Sequence, residues 1–263
     1  MRLAQSQDLD GILGLLRAHV GDCLYMYIDI AKYGLDHPAM KVWLAENADG
    51  ITTVVMKYHT GISFFADCED WDKEGVIRLL QEEKPNSVTA RKDLVESVLP
   101  EFADAYETEY GYVFLFTKFQ PMEIDVPIER ATEADLMEIA ELVTSDHEVG
   151  SYFEVRDLAE QYKERMETSM GRNFFIREDG KIVAHIASYA EFDGLATTSG
   201  LIVDPNCRNS IYGAYLEKYL LDDLIADGFT VYTFITNRLR YRLLKAMGNE
   251  CVGEYGKMMI RES

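Results

Sequence analysis

The run Gly200-Leu-Ile-Val-Asp-Pro-Asn-Cys-Arg-Asn-Ser-Ile-Tyr-Gly213 carries more structural information than any other part of this chain. It opens as an apolar strand. Pro205 has no backbone N–H and disfavours helical backbone at Asp204, so the strand stops there. A short polar loop follows, and a long helix-forming run begins near Tyr212. Arg208, Asn209 and Ser210 supply a cation, an amide and a hydroxyl where that helix starts. The first N–H groups of a helix lack intrahelical partners and carry partial positive charge. Strand, tight polar loop and helix start together form an anion seat. Gly213 lets neighbouring backbone come close to whatever occupies it.

Outward from this run, residues 173–177 and 181–189 flank the turn Glu178-Asp-Gly180 and read as a β-hairpin. Residues 196–203 are the strand that enters the loop, and 212–227 are a helix ended by Gly228. Residues 230–235 read as a strand. Residues 238–247 read as a helix capped by Asn237 and closed by Gly248, and 255–260 as a last strand. Upstream, Thr132 with Asp135 three residues on marks another helix start, followed by a helix over 158–170.

The first half follows a similar order. Helical spacing covers 5–20 and 23–34, strands cover 40–44, 51–58 and 62–66, and Asn47-Ala-Asp-Gly50 is a turn. Residues 71–83 and 90–99 read as helices and 112–116 as a strand, with 118–121 as an extended linker. The strand, acidic turn and strand of 42–58 recur at 174–189, which suggests two copies of one fold. The expected domains are 1–121 and 122–263. After its central strands the first half runs Asp67-Cys-Glu-Asp-Trp-Asp72, which repels phosphate. The first copy is therefore expected to be non-catalytic.

A net charge of −20 over 263 residues argues against nucleic acid as a partner. Residues 121–200 hold 18 acidic against 7 basic residues, whereas 201–263 balance 8 against 8. The anion seat thus lies in the one region that does not repel an anion. No run approaches the ~20 apolar residues of a membrane span, and the N-terminal residues lack the apolar core of a secretion signal. The expectation is a cytoplasmic protein with no membrane partner. Cys23, Cys68, Cys207 and Cys251 are scattered without a CxxC pair, so reduced thiols and no metal site are expected.

Residues 126–263 resemble the GNAT superfamily of acyl-CoA-dependent N-acyltransferases, and the first half is similar more weakly, as a degenerate second copy. Val203-Asp-Pro205 matches the family's V-x-P. The loop that reads R/Q-x-x-G-x-G/A in the family is matched at Arg208 and Gly213, with Ile211 in place of the first glycine. Asn237 matches the start of the later helix. Leu244 stands where the family usually has tyrosine, and Tyr241 lies one turn earlier on nearly the same helix face. The resemblance implies an α/β (α+β) fold, with a mixed, mostly antiparallel central sheet flanked by helices, in two copies.

It also implies acetyl-CoA as co-substrate and no metal. The diphosphate is expected on the amides of Arg208, Asn209, Ser210, Ile211, Tyr212 and Gly213. Pantetheine is expected along Leu201, Ile202 and Val203, where strands 196–203 and 230–235 must splay apart, with Asn237 and Arg240 contributing contacts. The acceptor would be a primary amine of a small molecule or peptide, acylated by direct attack in a ternary complex. Tyr241 is the candidate acid for the leaving thiolate. Glu191 is the first candidate for the base, ahead of Asp193 and His185, and His147 and Glu148 are candidates for binding the acceptor. Ile211 and Leu244 leave a second reading open, a non-catalytic acyl-CoA-binding or regulatory module. A homodimer is an assembly this reading admits.

Overall fold

The computed structural model describes residues 1–146, 154–207 and 210–261. Its elements in chain order are β1 (Arg2–Leu3), α1 (Leu9–Ala18), α2 (Val20–Tyr33), β2 (Met40–Asn47), β3 (Gly50–Tyr58), β4 (Gly61–Ala66), α3 (Lys73–Glu83), β5 (Ser87–Arg91), α4 (Lys92–Val98) and β6 (Tyr106–Leu115). The order then resumes with β7 (Glu129–Arg130), α5 (Leu136–Thr144), α6 (Val155–Glu167), β8 (Asn173–Glu178), β9 (Lys181–Phe192), β10 (Leu195–Val203), α7 (Tyr212–Ala226), β11 (Thr230–Ile235), α8 (Arg238–Ala246) and β12 (Glu250–Ile260). Among the described residues no helix is long and apolar enough to cross a membrane.

These elements form two units, and each draws on more than one stretch of the chain. The first unit holds Met1–Phe114 together with Ile235–Arg242 and Cys251–Ser263; the second holds Leu115–Phe234 and Leu243–Glu250. The cause is β12. Its residues Tyr255 to Met259 pair antiparallel with Arg91 to Ser87 of β5, so the last strand completes the sheet of the first unit. In the second unit, Asn249 holds the segment read as a linker. Its side-chain oxygen accepts from the N–H groups of Thr117 and Lys118, both at 2.9 Å, and its amide donates to the Lys118 carbonyl at 3.0 Å.

The first unit orders its strands β1-β2-β3-β4-β5-β12-β6, and the second orders them β11-β10-β9-β8-β7. The pairs β1–β2, β2–β3, β3–β4 and β5–β12 are antiparallel, as are β7–β8, β8–β9 and β9–β10. Each unit also has one parallel pair, β4–β5 in the first and β10–β11 in the second.

In the second unit, adjacent residues of β8 point to opposite faces. Phe175 joins the cluster of Leu136, Ile139, Leu158, Tyr162, Ile182 and Ile202 under α5 and α6. Phe174 instead meets Tyr219 of α7 edge-on at 5.1 Å. Helices α5 and α6 therefore cover one face and α7 the other. Full burial of each such side chain contributes roughly 1.5–3 kcal/mol. The start of α5 carries the expected capping pair: the Thr132 N–H and hydroxyl both donate to the Asp135 carboxylate, at 2.9 and 2.7 Å. Strand β5 escaped the helical reading of residues 90–99. Leu94, Val95 and Val98 have helical spacing, but Ser87–Arg91 is drawn into the sheet by strands far away in sequence.

Candidate functional site

Strand β10 runs parallel to β11 only at its start. The ladder joins Leu195 to Thr230 and ends at Thr198 with Thr233, although β10 continues to Val203. Over that second stretch β10 keeps its other neighbour, β9, but changes register. Ser199 faces Ala187 and Ile202 faces His185, so one extra residue is accommodated as a β-bulge. Gly200 sits in the bulge with φ +65°, a conformation costly for any residue with a Cβ.

His185 anchors the bulge. It is wholly buried, with Nδ1 3.0 Å from the Gly200 carbonyl oxygen and Nε2 3.0 Å from Oδ1 of Asn173. Burial pushes its pKa down to about 4 against the opposing pull of the Gly200 carbonyl, so the ring is neutral near pH 7. A neutral imidazole has one N–H. With that hydrogen on Nδ1, the Asn173 amide must turn its NH2 towards Nε2. Around Gly200 stand two more polar tips: a Cβ built there would lie 3.5 Å from the Tyr162 hydroxyl and 3.6 Å from that of Tyr189.

Past Val203 the chain turns as expected at Asp204-Pro205. The Asp204 N–H donates to the Val183 carbonyl at 2.8 Å, which ends the strand against β9. Its carboxylate accepts from the backbone N–H and side-chain amide of Asn206 and from Lys181. The Asn206 amide first, then the Lys181 ammonium, hold that carboxyl below the usual range. Helix α7 starts at Tyr212 with Ile211 as its N-cap; the Ile211 side chain makes no cap bond, and the Tyr212 N–H donates to the Ser210 hydroxyl at a long 3.4 Å. Ile211 has φ −88° and ψ 7°, so replacing the family's glycine there demands no left-handed backbone. Nearby, the Tyr212 hydroxyl donates to Glu178, which pushes its pKa up to about 12. Gly213 lies against β10, where an added Cβ would meet Val203 at an ordinary 3.6 Å.

The first unit repeats the strand geometry but not the helix start. Its parallel ladder ends at Ser63 with Thr89 while β4 runs on to Ala66. Helix α3, however, is capped by Asp72, whose carboxylate accepts from the Gly75 N–H at 2.9 Å. A protein carboxylate already fills the place an anion would take.

Among the other expected site residues, Leu201 is partly exposed on the free part of β10, Ile202 is buried and Val203 is half-buried. Arg208 and Asn209, and likewise His147 and Glu148, lie outside the described residues. Asn237 caps α8 as expected, accepting from the N–H groups of Leu239 and Arg240 at 2.8 and 3.2 Å. In the first unit, Tyr241 is half-buried against Tyr112 and Phe114, with ring centroids 4.4 and 5.4 Å away, and burial lowers the pKa of Arg240. Leu244, at the family's tyrosine position, is fully buried. Asp193 lies in the turn between β9 and β10, with φ +49°.

Glu191, the first candidate for the base, lies in a network of buried ionic and hydrogen bonds. It is buried and forks onto Arg172, with Nε 2.9 Å from Oε1 and Nη2 2.5 Å from Oε2, and the Ser188 hydroxyl also donates to it. Arg172 further donates to Asp223 of α7 and to Asp227, which caps its C-terminus, at 2.6 and 2.8 Å. Burial alone would lower the pKa of Arg172, but its three carboxylates outweigh burial and raise it. Strand propensity and spacing gave no sign of Arg172, whose partners lie on other elements.

Residues 136–248 match the family model described as Acetyltransferase (GNAT) family. A search of curated protein sequences finds no match. Among solved structures, the chain is similar over 99% of its length to a Drosophila protein from a structural genomics consortium, at TM-score 0.70 and 15% identity, covering 98% of that chain. It is similar over its whole length to a GCN5-related N-acetyltransferase from Sphaerobacter thermophilus, at TM-score 0.67 and 16% identity, covering 96% of that chain. It is also similar over its whole length to a tandem GNAT protein from the clavulanic acid biosynthesis pathway, at TM-score 0.60 and 11% identity, covering 98% of that chain. Residues 136–248 thus match the GNAT acetyltransferase-family model, and the whole chain shares the fold of solved GNAT proteins, with a mixed, mostly antiparallel sheet flanked by helices consistent with two GNAT copies.

Proposed function

We propose that the second unit binds acetyl-CoA and transfers its acetyl group to an amine. The observation that carries this reading is the parting of β10 from β11 after Thr198, directly before a helix whose N-cap side chain makes no cap bond. Backbone groups of β10 that β11 does not use are free to hold the amide-rich arm of the cofactor. The first amides of α7 offer the diphosphate hydrogen bonds and the positive end of the helix dipole. The neutral tail of the chain adds no repulsion.

The reaction is attack of a neutral amine on the thioester carbonyl. A C–N bond forms, the C–S bond breaks, the amine loses a proton and the CoA thiolate takes one up. N–H groups of the bulge at Gly200 are suited to stabilise the oxyanion. Glu191 keeps the end of β9 in place through Arg172. The first unit is a degenerate copy: Asp72 replaces the diphosphate at α3, and its strand opening serves no cofactor.

The direct assay is thiol release from acetyl-CoA with a panel of amines. Transfer predicts amine-dependent thiol; its absence with every amine, despite acetyl-CoA binding, leaves a binding module. Leu244 favours that second reading, because the usual tyrosine is replaced by a fully buried leucine.

A further inference from the structure

The α5–α6 face of the second unit presents a cation that no carboxylate among the described residues holds. Arg165, near the end of α6, is half-buried. Its guanidinium carbon lies 4.0 Å from the centroid of the Tyr189 ring, a cation–π contact. Among the described residues it makes no ion pair, whereas Arg172 and Arg177 of the same unit are bonded to carboxylates. Yet residues 121–200 carry 18 acidic against 7 basic residues. A partly desolvated guanidinium left unpaired in such a segment is the point at which a ligand anion is least repelled and most strongly bound.

Its position gives the anion a purpose. Tyr189 stacks on Tyr162, the rings 9° from parallel, and its hydroxyl meets that of Tyr162 at 3.1 Å. Tyr162 is wholly buried and Tyr189 half-buried, so of the pair it is the Tyr189 hydroxyl that a ligand can reach. Both oxygens lie beside Gly200, at 3.5 and 3.6 Å from where its Cβ would be. Arg165, Tyr189 and Tyr162 therefore lead to the bulge where β10 has left β11, from the face opposite α7. The diphosphate seat is on the α7 side, so the α5–α6 side of the same opening is left for the acceptor.

We propose that Arg165, with the Tyr189–Tyr162 hydroxyl pair, is the anion subsite of the acceptor: the amine substrate carries a carboxylate, as a free α-amino acid does. This rests on the acetyl-transfer reading above. The guanidinium pairs with the carboxylate in bidentate fashion, and the substrate amine is directed to the thioester beside Gly200.

The test compares free L-amino acids with their amides, which keep the amine and lose the carboxylate, by thiol release, with acetyl-CoA affinity measured in parallel by calorimetry. Wild type is expected to favour the acids in kcat/KM by about tenfold or more. Arg165→Gln should erase that preference through KM, with kcat and acetyl-CoA affinity little changed, and Arg165→Lys should restore part of it. Equal use of acids and amides, or a preference that survives Arg165→Gln, overturns the subsite alone. If acetyl-CoA fails to bind, or binds without thiol release to any amine, the transfer reading falls and the subsite with it.

Discussion

Nδ1 of His185 lies 3.0 Å from the carbonyl oxygen of Gly200, and this bond ties the middle of β9 to the bulge in β10. The bulge is what carries β10 away from β11. The opening on which the proposed activity depends is therefore held by a buried imidazole as well as by a glycine in left-handed backbone.

The imidazole makes stability depend on pH. Above about pH 6.5 the ring is neutral folded and unfolded, and its contribution is fully present. As pH falls from there to the folded value of about 4, the unfolded chain takes up a proton that the buried ring does not, and stability is lost. The full span corresponds to about 3 kcal/mol. Urea titrations of wild type and His185→Gln should show a steeper loss in wild type between pH 6.5 and 4.5. Parallel curves would mean that His185 is not held neutral.

Gly200→Ala should cost about 1 kcal/mol, because alanine resists the left-handed backbone. The nearest side-chain atom to the added methyl, Cε1 of His185, is 3.5 Å away, so crowding adds little. The same substitution should weaken acetyl-CoA binding beyond that cost, by straightening β10. Unaltered affinity in calorimetry would separate the bulge from cofactor binding.

Arg172→Met leaves Glu191 buried without its partner and should destabilise the protein by about 3–5 kcal/mol. Arg172→Met with Glu191→Leu should recover much of the loss, since no charge then remains buried. Denaturation midpoints of the single and double variants test this; a double variant as unstable as the single one would place the cost in packing instead.

With Glu191 engaged by Arg172, Glu191 is not expected to act as the base in the pH–rate profile. kcat/KM should rise with pH towards the pKa of the acceptor amine itself. A plateau beginning between pH 5 and 7 that disappears in Glu191→Gln would return the role of base to Glu191.

Much of the second half of the chain was legible locally. Glu178-Asp-Gly180, Pro205, Gly228 and Asn237 are short-range signals, and each ends, turns or starts an element at or beside the expected residue. The register slip at Gly200 was not legible, because it depends on where β9 lies beside β10. The partner of Glu191 was not legible for the same reason: Arg172, which holds it, is distant in sequence. The exchange of β12 into the first unit depends on pairing between residues such as Met258 and Val88, which no local pattern encodes.

The most direct test is calorimetric titration of acetyl-CoA into the wild type and into Ile211→Asp. The aspartate would give α7 the kind of N-cap that Asp72 gives α3, stabilising the helix by about 1 kcal/mol while placing a negative charge where the diphosphate is expected. The account predicts one molecule bound per wild-type chain and none to the otherwise stable variant. Binding to Ile211→Asp with wild-type affinity, or two molecules per wild-type chain, would contradict it.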